Sequence, residues 1–246
     1  MSHALLVLGG AVLGAIVGSF IATIVRRFPD DRSALEGRSA CESCDVPLGP
    51  LDLVPILSHL ALRGRCRHCG APIAREHLAI ELVAAAIGAS SAALLPLAQA
   101  GSIALFGWIL LPLGWIDARH LWLPDRLVLL LALAGLMLGT FASGALLPDR
   151  LIGGLVGFAF LAALRLLHQR LRGVEGMGAG DPKLMGAIGL WTGWWLLAPI
   201  LLVASAGLLA VALLTGAHRD AGREYPLGSA LAAAAFAVTL ASASFL

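Results

Sequence analysis

Charge is scarce in this sequence. Only 13% of its 246 residues are Asp, Glu, Lys or Arg, the formal net charge is +2, and no block of like charges occurs. A basic arm for nucleic acid is thereby excluded. With 59% hydrophobic residues and a mean hydropathy of +0.89, so is an ordinary soluble domain. The first apolar run ends in Arg26-Arg27 with no small-residue cleavage site, which reads as a retained helix and not a removed signal peptide. No Gly-x-Gly-x-x-Gly follows a strand-like segment, so a Rossmann-type cradle is not expected. Cysteine is scarce too: the chain has four, all between residues 41 and 69.

What is abundant is apolar runs near the length of a bilayer. Windows of about 20 residues give eight candidate spans: 4–25, 78–98, 101–116, 123–142, 151–168, 184–197, 198–215 and 227–246. The expected fold is an all-α polytopic membrane protein of about eight transmembrane helices, with a cytoplasmic zinc-binding loop domain between helices 1 and 2. Placing Arg26-Arg27 in the cytoplasm puts 26–77, 117–122, 169–183 and 216–226 there as well. Arg126 and Arg165 then fall at cytoplasmic helix ends, and of the 17 Lys and Arg residues only Arg150 lies outside. That asymmetry sets the expected orientation.

The long polar segment, 28–77, holds the cysteines as Cys41-Glu-Ser-Cys44 and Cys66-Arg-His-Cys69, with 21 residues between the pairs. Two such knuckles suit a closed tetrahedral zinc site of four thiolates. A reducing compartment makes two disulfides the poorer reading. His68 inside the second knuckle is read as solvated rather than as a ligand. A loop this short and poor in large apolar side chains needs such a staple.

Carboxylates are the second signal. Gly173-Val-Glu-Gly-Met-Gly-Ala-Gly-Asp-Pro-Lys183 ends in Asp181 where the sixth span starts, and Asp117 closes the third span in Gly114-Trp-Ile-Asp117-Ala-Arg-His120. Asp181-Pro182 also has the form of a helix cap, as does Pro124-Asp125-Arg126, which makes Asp125 a rival partner. Asp117 resists that reading, because the macrodipole disfavours an anion at a helix C-terminus. Two acids meeting at a dry membrane edge cannot both ionise readily, and one protonated acid beside one ionised acid is aspartic-protease chemistry. Glycines 176, 178 and 180 would let an extended substrate approach closely. The alternative reading is a transporter or channel whose Asp117 and Asp181 bind ions, with the zinc loop regulatory. Lesser candidates are Glu81, to orient substrate or pair with Arg75; Gly14, Gly18 and Ser19, as a close helix contact; and Trp191, Trp194 and Trp195, as interfacial anchors.

These residues together resemble the type IV prepilin leader peptidases, bifunctional enzymes of the bacterial inner membrane that also serve type II secretion pseudopilins. The resemblance runs from Gly18-Ser19-Phe20 and Arg26-Arg27-Phe28-Pro29 through both knuckles, with Pro55-Ile-Leu-Ser58 between them. It continues through Arg63-Gly-Arg-Cys-Arg-His-Cys-Gly-Ala-Pro-Ile73, Asp117, Leu123-Pro124-Asp125 and Gly178-Ala-Gly-Asp-Pro-Lys183 to Pro226-Leu-Gly228. Glu76-His77-Leu78 and Leu53 depart from the family pattern. The resemblance implies a catalytic pair Asp117 and Asp181, with Asp125 a structural neighbour. It implies prepilin or pseudopilin substrates cleaved at the cytoplasmic face, and methylation of the new N-terminus from S-adenosylmethionine. Residues 1–98 are expected to form the cysteine-bearing part and 99–246 the membrane-embedded peptidase.

Overall fold

Where no water is available to hydrogen-bond a backbone, its N–H and C=O groups must be satisfied within the segment, and an apolar run becomes a helix. The computed structural model describes residues 2–28, 39–173, 177–216 and 225–245. Among them the long elements are all helical, and the only extended pairings are the isolated bridges Ala40↔Pro47 and Arg65↔Pro72. The helices are α1 (His3–Arg27), α2 (Leu57–Ala61), α3 (Arg75–Leu94), α4 (Leu97–His120), α5 (Asp125–Ser143), α6 (Leu147–Arg172), α7 (Asp181–Thr192), α8 (Leu197–Leu214) and α9 (Leu227–Ala243). Six of them, α1, α3, α4, α5, α6 and α8, are long and apolar enough to cross a membrane. The chain is a multi-pass membrane protein.

The sixth expected span, 184–197, takes a different form. Helix α7 has 12 residues, about 18 Å of rise against a hydrocarbon core of about 30 Å. It ends at Gly193, whose φ of +76° stops the helix. All its residues from Asp181 to Thr192 are buried except Lys183 and Leu190. Protein rather than lipid therefore surrounds it, with α5, α6 and α9 as neighbours.

By backbone contacts the chain divides into two compact units, Met1–Leu94 and Leu95–Leu246. In the first, α1 packs on α3 through small residues. A methyl group at Gly14 would lie 2.2 Å from the Ala84 carbonyl oxygen, one at Gly10 2.5 Å from that of Gly88, and one at Gly18 2.8 Å from the Glu81 Cα. Glycine every fourth residue makes a stripe along which two backbones touch, which is how helices associate without a hydrophobic driving force.

In the second unit, α6 meets α7 in the same way, with Gly189 against the Gly153 backbone. The rest is tied by long side chains. Arg150 is 3% exposed, and its guanidinium donates to the carbonyls of Gly135 on α5 (2.5 Å) and Leu190 on α7 (3.3 Å). Arg150, expected on the non-cytoplasmic side by charge counting, is a buried cross-link between helices. Trp191 is also no interfacial anchor: it is fully buried, stacks on Phe106 at 4.9 Å and donates Nε1–H to the Leu131 carbonyl at 2.8 Å. Trp194 and Trp195 are exposed and stack on each other, as suits a membrane interface.

Candidate active site and metal centre

Asp117 lies one turn before the end of α4, and α4 stops because Leu121 turns left-handed (φ +51°). Its carboxylate is 5% exposed. The anion that the α4 dipole disfavours is met by another helix: the Ser229 N–H donates to Asp117 Oδ2 at 2.7 Å, and the Gly228 N–H is a second donor. Both amides belong to the first turn of α9, whose N–H groups have no partner inside their own helix. Gly228 is required by the closeness of this approach, since a methyl group there would sit 2.9 Å from the Asp117 carboxyl carbon and 3.0 Å from Leu123.

Asp181 is likewise 5% exposed. It is the first residue of α7, one past the N-cap Gly180, so it is not itself the helix cap. The carboxylate folds back instead onto the Gly178 N–H. Leu123 joins the two acids: it fills the space where a Gly180 side chain would stand (2.7 Å) and also touches the Gly228 position. Asp117 and Asp181 are close enough for each charge to act on the other, and Arg165 of α6 lies within electrostatic range of Asp181. Arg165 Nε also donates to the Met177 carbonyl at 3.2 Å. Gly178 and Ala179 are exposed, so the loop forms a surface edge beside the buried acid. Gly176 lies outside the described residues.

Asp125 separates from this pair. It is exposed and held by Lys183 Nζ at 2.7 Å, an ion pair linking the start of α5 to the start of α7. The rival carboxylate therefore points out while Asp117 and Asp181 point in. Sequence reasoning gave no role to Gly228, Ser229 or Leu123. Pro226-Leu-Gly-Ser229 does carry the signal of a helix start with a bare backbone, but nothing local says which anion it faces.

The four cysteines converge as spacing suggested. Their sulfurs lie within 4.8 Å of one another, and Cys41 and Cys69 are 3.8 Å apart. Zn–S bonds of about 2.3 Å give a tetrahedral edge of about 3.8 Å, so the cluster fits that ion. All four are free thiols, not disulfides, and His68 is exposed and outside the cluster. The two knuckles repeat one another bond for bond. Cys41 N–H donates to Val46 O and Asp45 N–H to Cys41 O; Cys66 N–H donates to Ala71 O and Gly70 N–H to Cys66 O. Leu48 N–H to Ser39 O and Ile73 N–H to Gly64 O close the pattern. Asp45 (φ +54°) and Gly70 (φ +72°) occupy the same left-handed corner, which glycine reaches without strain. The Cys69 N–H, then that of His68, points at the Cys66 sulfur and holds its thiol down to about 6. Arg67 hydrogen-bonds Asp52 at 2.8 Å, holding that carboxyl below its ordinary range and tying the second knuckle to the 3-10 turn Pro50–Leu53.

Among the described residues Glu81 pairs with no arginine. It is 7% exposed and accepts the Ile56 N–H at 2.7 Å.

Comparison with known proteins gives one answer across the chain. Residues 12–95 match the bacterial peptidase A24 N-terminal domain, and residues 104–215 match the type IV leader peptidase family. A prepilin leader peptidase/N-methyltransferase of Burkholderia pseudomallei is 38% identical over 229 residues, covering 82% of this chain and 74% of that protein. Proteins of the same name from Pseudomonas aeruginosa (34% identical, covering 97% of this chain and 92% of that one) and Stutzerimonas stutzeri (33%, covering 95% and 90%) extend the likeness to nearly the whole length. No solved structure matches.

Proposed function

The chain belongs to the type IV leader peptidase family, and on that premise we propose that it is a membrane aspartic endopeptidase whose catalytic pair is Asp117 and Asp181. The observation that carries this reading is the burial of these two acids, 5% exposed each, within reach of one another's charge, while Asp125 is turned outward to Lys183. Two like charges in a water-poor place favour a state with a single shared proton. The ionised member takes a proton from a water as its oxygen attacks the scissile carbonyl carbon. The protonated member gives its proton to the carbonyl oxygen. As the C–N bond breaks, the first acid passes the water's proton to the departing amine nitrogen and the second recovers a proton from a hydroxyl of the tetrahedral intermediate, leaving a carboxylic acid. The apparent pKa values belong to the pair, so neither acid is assigned a fixed role. The exposed loop edge at Gly178 and Ala179 supports approach of an extended substrate backbone to Asp181.

The substrates are type IV prepilins or type II secretion pseudopilins, cut after a short basic leader and before their own hydrophobic helix. The Lys and Arg asymmetry of the loops supports a site at the cytoplasmic face of the inner membrane. Incubating the purified protein in detergent with a prepilin should give a shortened product. If folded protein yields none, the peptidase reading fails.

Cys41, Cys44, Cys66 and Cys69 hold one structural zinc ion, a reading supported by the tetrahedral spacing of their sulfurs. The relatives' names include N-methyltransferase, and methylation of the new N-terminal amine belongs to this chain as well, in the cysteine-bearing residues 1–98. S-adenosylmethionine would supply an electrophilic methyl group. Among the described residues no strand leads into a glycine-rich helix start, so a dinucleotide-type cradle is not what would hold that donor.

A further inference from the structure

Among the described residues of unit Met1–Leu94, one carboxylate is buried, and the metal-type cluster does not use it. Of the unit's described acids, Glu42 is paired with Arg26, Asp52 with Arg67, Glu76 also has a partner, and Asp45 is exposed. Only Glu81 is buried, at 7% exposure. Its Oε2 accepts the Ile56 N–H, and among the described residues no cation pairs with it. A neutral amide side chain would hold that N–H equally well. Burying an uncompensated charge is expensive, so the charge itself asks for an explanation.

The segment it holds adds a second sign. Ile56 has φ +62° and ψ −53°, and the Leu57 N–H donates to the Pro55 carbonyl at 2.5 Å. This is the rare, strained form of the γ-turn, in a β-branched residue that disfavours positive φ. Strain of this kind persists only where the surroundings enforce it, and it gathers at binding sites. The turn lies in the chain between the two cysteine knuckles, and the Glu81 carboxylate holds its central N–H. Glu81 stands six residues into α3, about 9 Å from its start. His77, one turn earlier on the same face, lies in the field of Arg26, Glu42, Glu76 and His59.

We propose that Glu81 is the counter-ion that receives the primary ammonium group at the N-terminus of a peptide, presenting that amine within the cysteine-bearing unit. The ligand is an apolar peptide with a free α-amine, the kind of product that leader removal leaves. The biological use of the site rests on the methyl-transfer reading, since an amine must be held before it can be alkylated. The site itself does not depend on it.

The test is binding of two fluorescent peptides to the full-length protein in detergent. Both begin at the residue following a prepilin leader, one with a free amine and one N-acetylated. Wild type should bind the free amine about tenfold tighter, as a charge-assisted hydrogen bond permits. Glu81→Gln, which keeps an acceptor for Ile56, should bind both alike. Glu81→Asp should restore part of the preference. Equal affinity of wild type for both peptides overturns the proposal whether or not a variant folds, as does full preference in a folded Glu81→Gln protein. Methyl incorporation is read separately. If wild type incorporates none yet shows a Glu81-dependent preference, the methyl-transfer reading falls and the site stands. Methylation by a Glu81→Gln protein that has kept its amine preference overturns the site and leaves that reading in place.

Discussion

The two units solve the same problem, holding acids and backbone together with few charges, in different ways. Met1–Leu94 relies on backbone contact and a compact cluster of thiols: a glycine stripe of α1 on the α3 backbone, and four cysteine sulfurs that fit a metal. Leu95–Leu246 relies on buried side chains that reach between helices, with Arg150 and Trp191 bonded to carbonyls of other helices and Asp117 to the amides of α9. A local motif can specify the first kind of organisation. The second kind exists only once distant helices have packed.

The largest expected effect lies in the second unit. Replacing Asp117 or Asp181 with Asn, which keeps size and hydrogen bonding, should reduce prepilin cleavage by about 10³-fold or more. Asp125→Asn removes an exposed ion pair and should leave most of the activity. Gel assay of the three purified variants decides this, and loss at 125 with retention at 117 would mean the wrong acids were paired.

Next comes Gly228→Ala, which places a methyl group 2.9 Å from the Asp117 carboxyl carbon. Displacing the Asp117 carboxyl should lower kcat by about 10²-fold, with unfolding temperature nearly unchanged. Normal turnover would show that α9 does not set the Asp117 position.

For the first unit, metal analysis should find about one zinc per chain. Cys66→Ser should lose most of the metal and thermal stability while retaining part of the peptidase activity. Zinc-free wild type of unchanged stability would break the staple argument, and parallel loss of cleavage would erase the contrast between the units. Gly14→Leu should push α1 from α3, because even a methyl group meets the Ala84 carbonyl at 2.2 Å. Overpacking of this kind costs about 1–3 kcal/mol, readable as a lower unfolding temperature with cleavage preserved.

The smallest effect concerns pH. Arg67 holds Asp52 below its ordinary range, so their link stabilises the loop above the unfolded carboxyl pKa and fades as pH falls through the folded one. The pair is exposed on the Arg67 side, so the change should be slight. Asp52→Asn should make the loop's stability flatter with acid, and an unchanged acid profile would remove this contribution.

The sequence by itself determined the helical membrane class, because apolar runs of bilayer length have few other ways to satisfy their backbones. It also determined the cysteine cluster, since each knuckle closes through bonds spanning only a few residues. Asp117 and Asp181 were visible as acids out of place at helix ends. Only the tertiary structure decided that Asp125 faces out to Lys183 while the other two are buried, because the side a carboxylate faces depends on which helices pack beside it. Packing also turned the expected sixth span into a short helix wrapped in protein, buried Arg150 and Trp191 between helices, and set the α9 amides on Asp117. Ser229 and Asp117 are 112 residues apart, and no periodicity or spacing within either segment encodes a contact made across that distance.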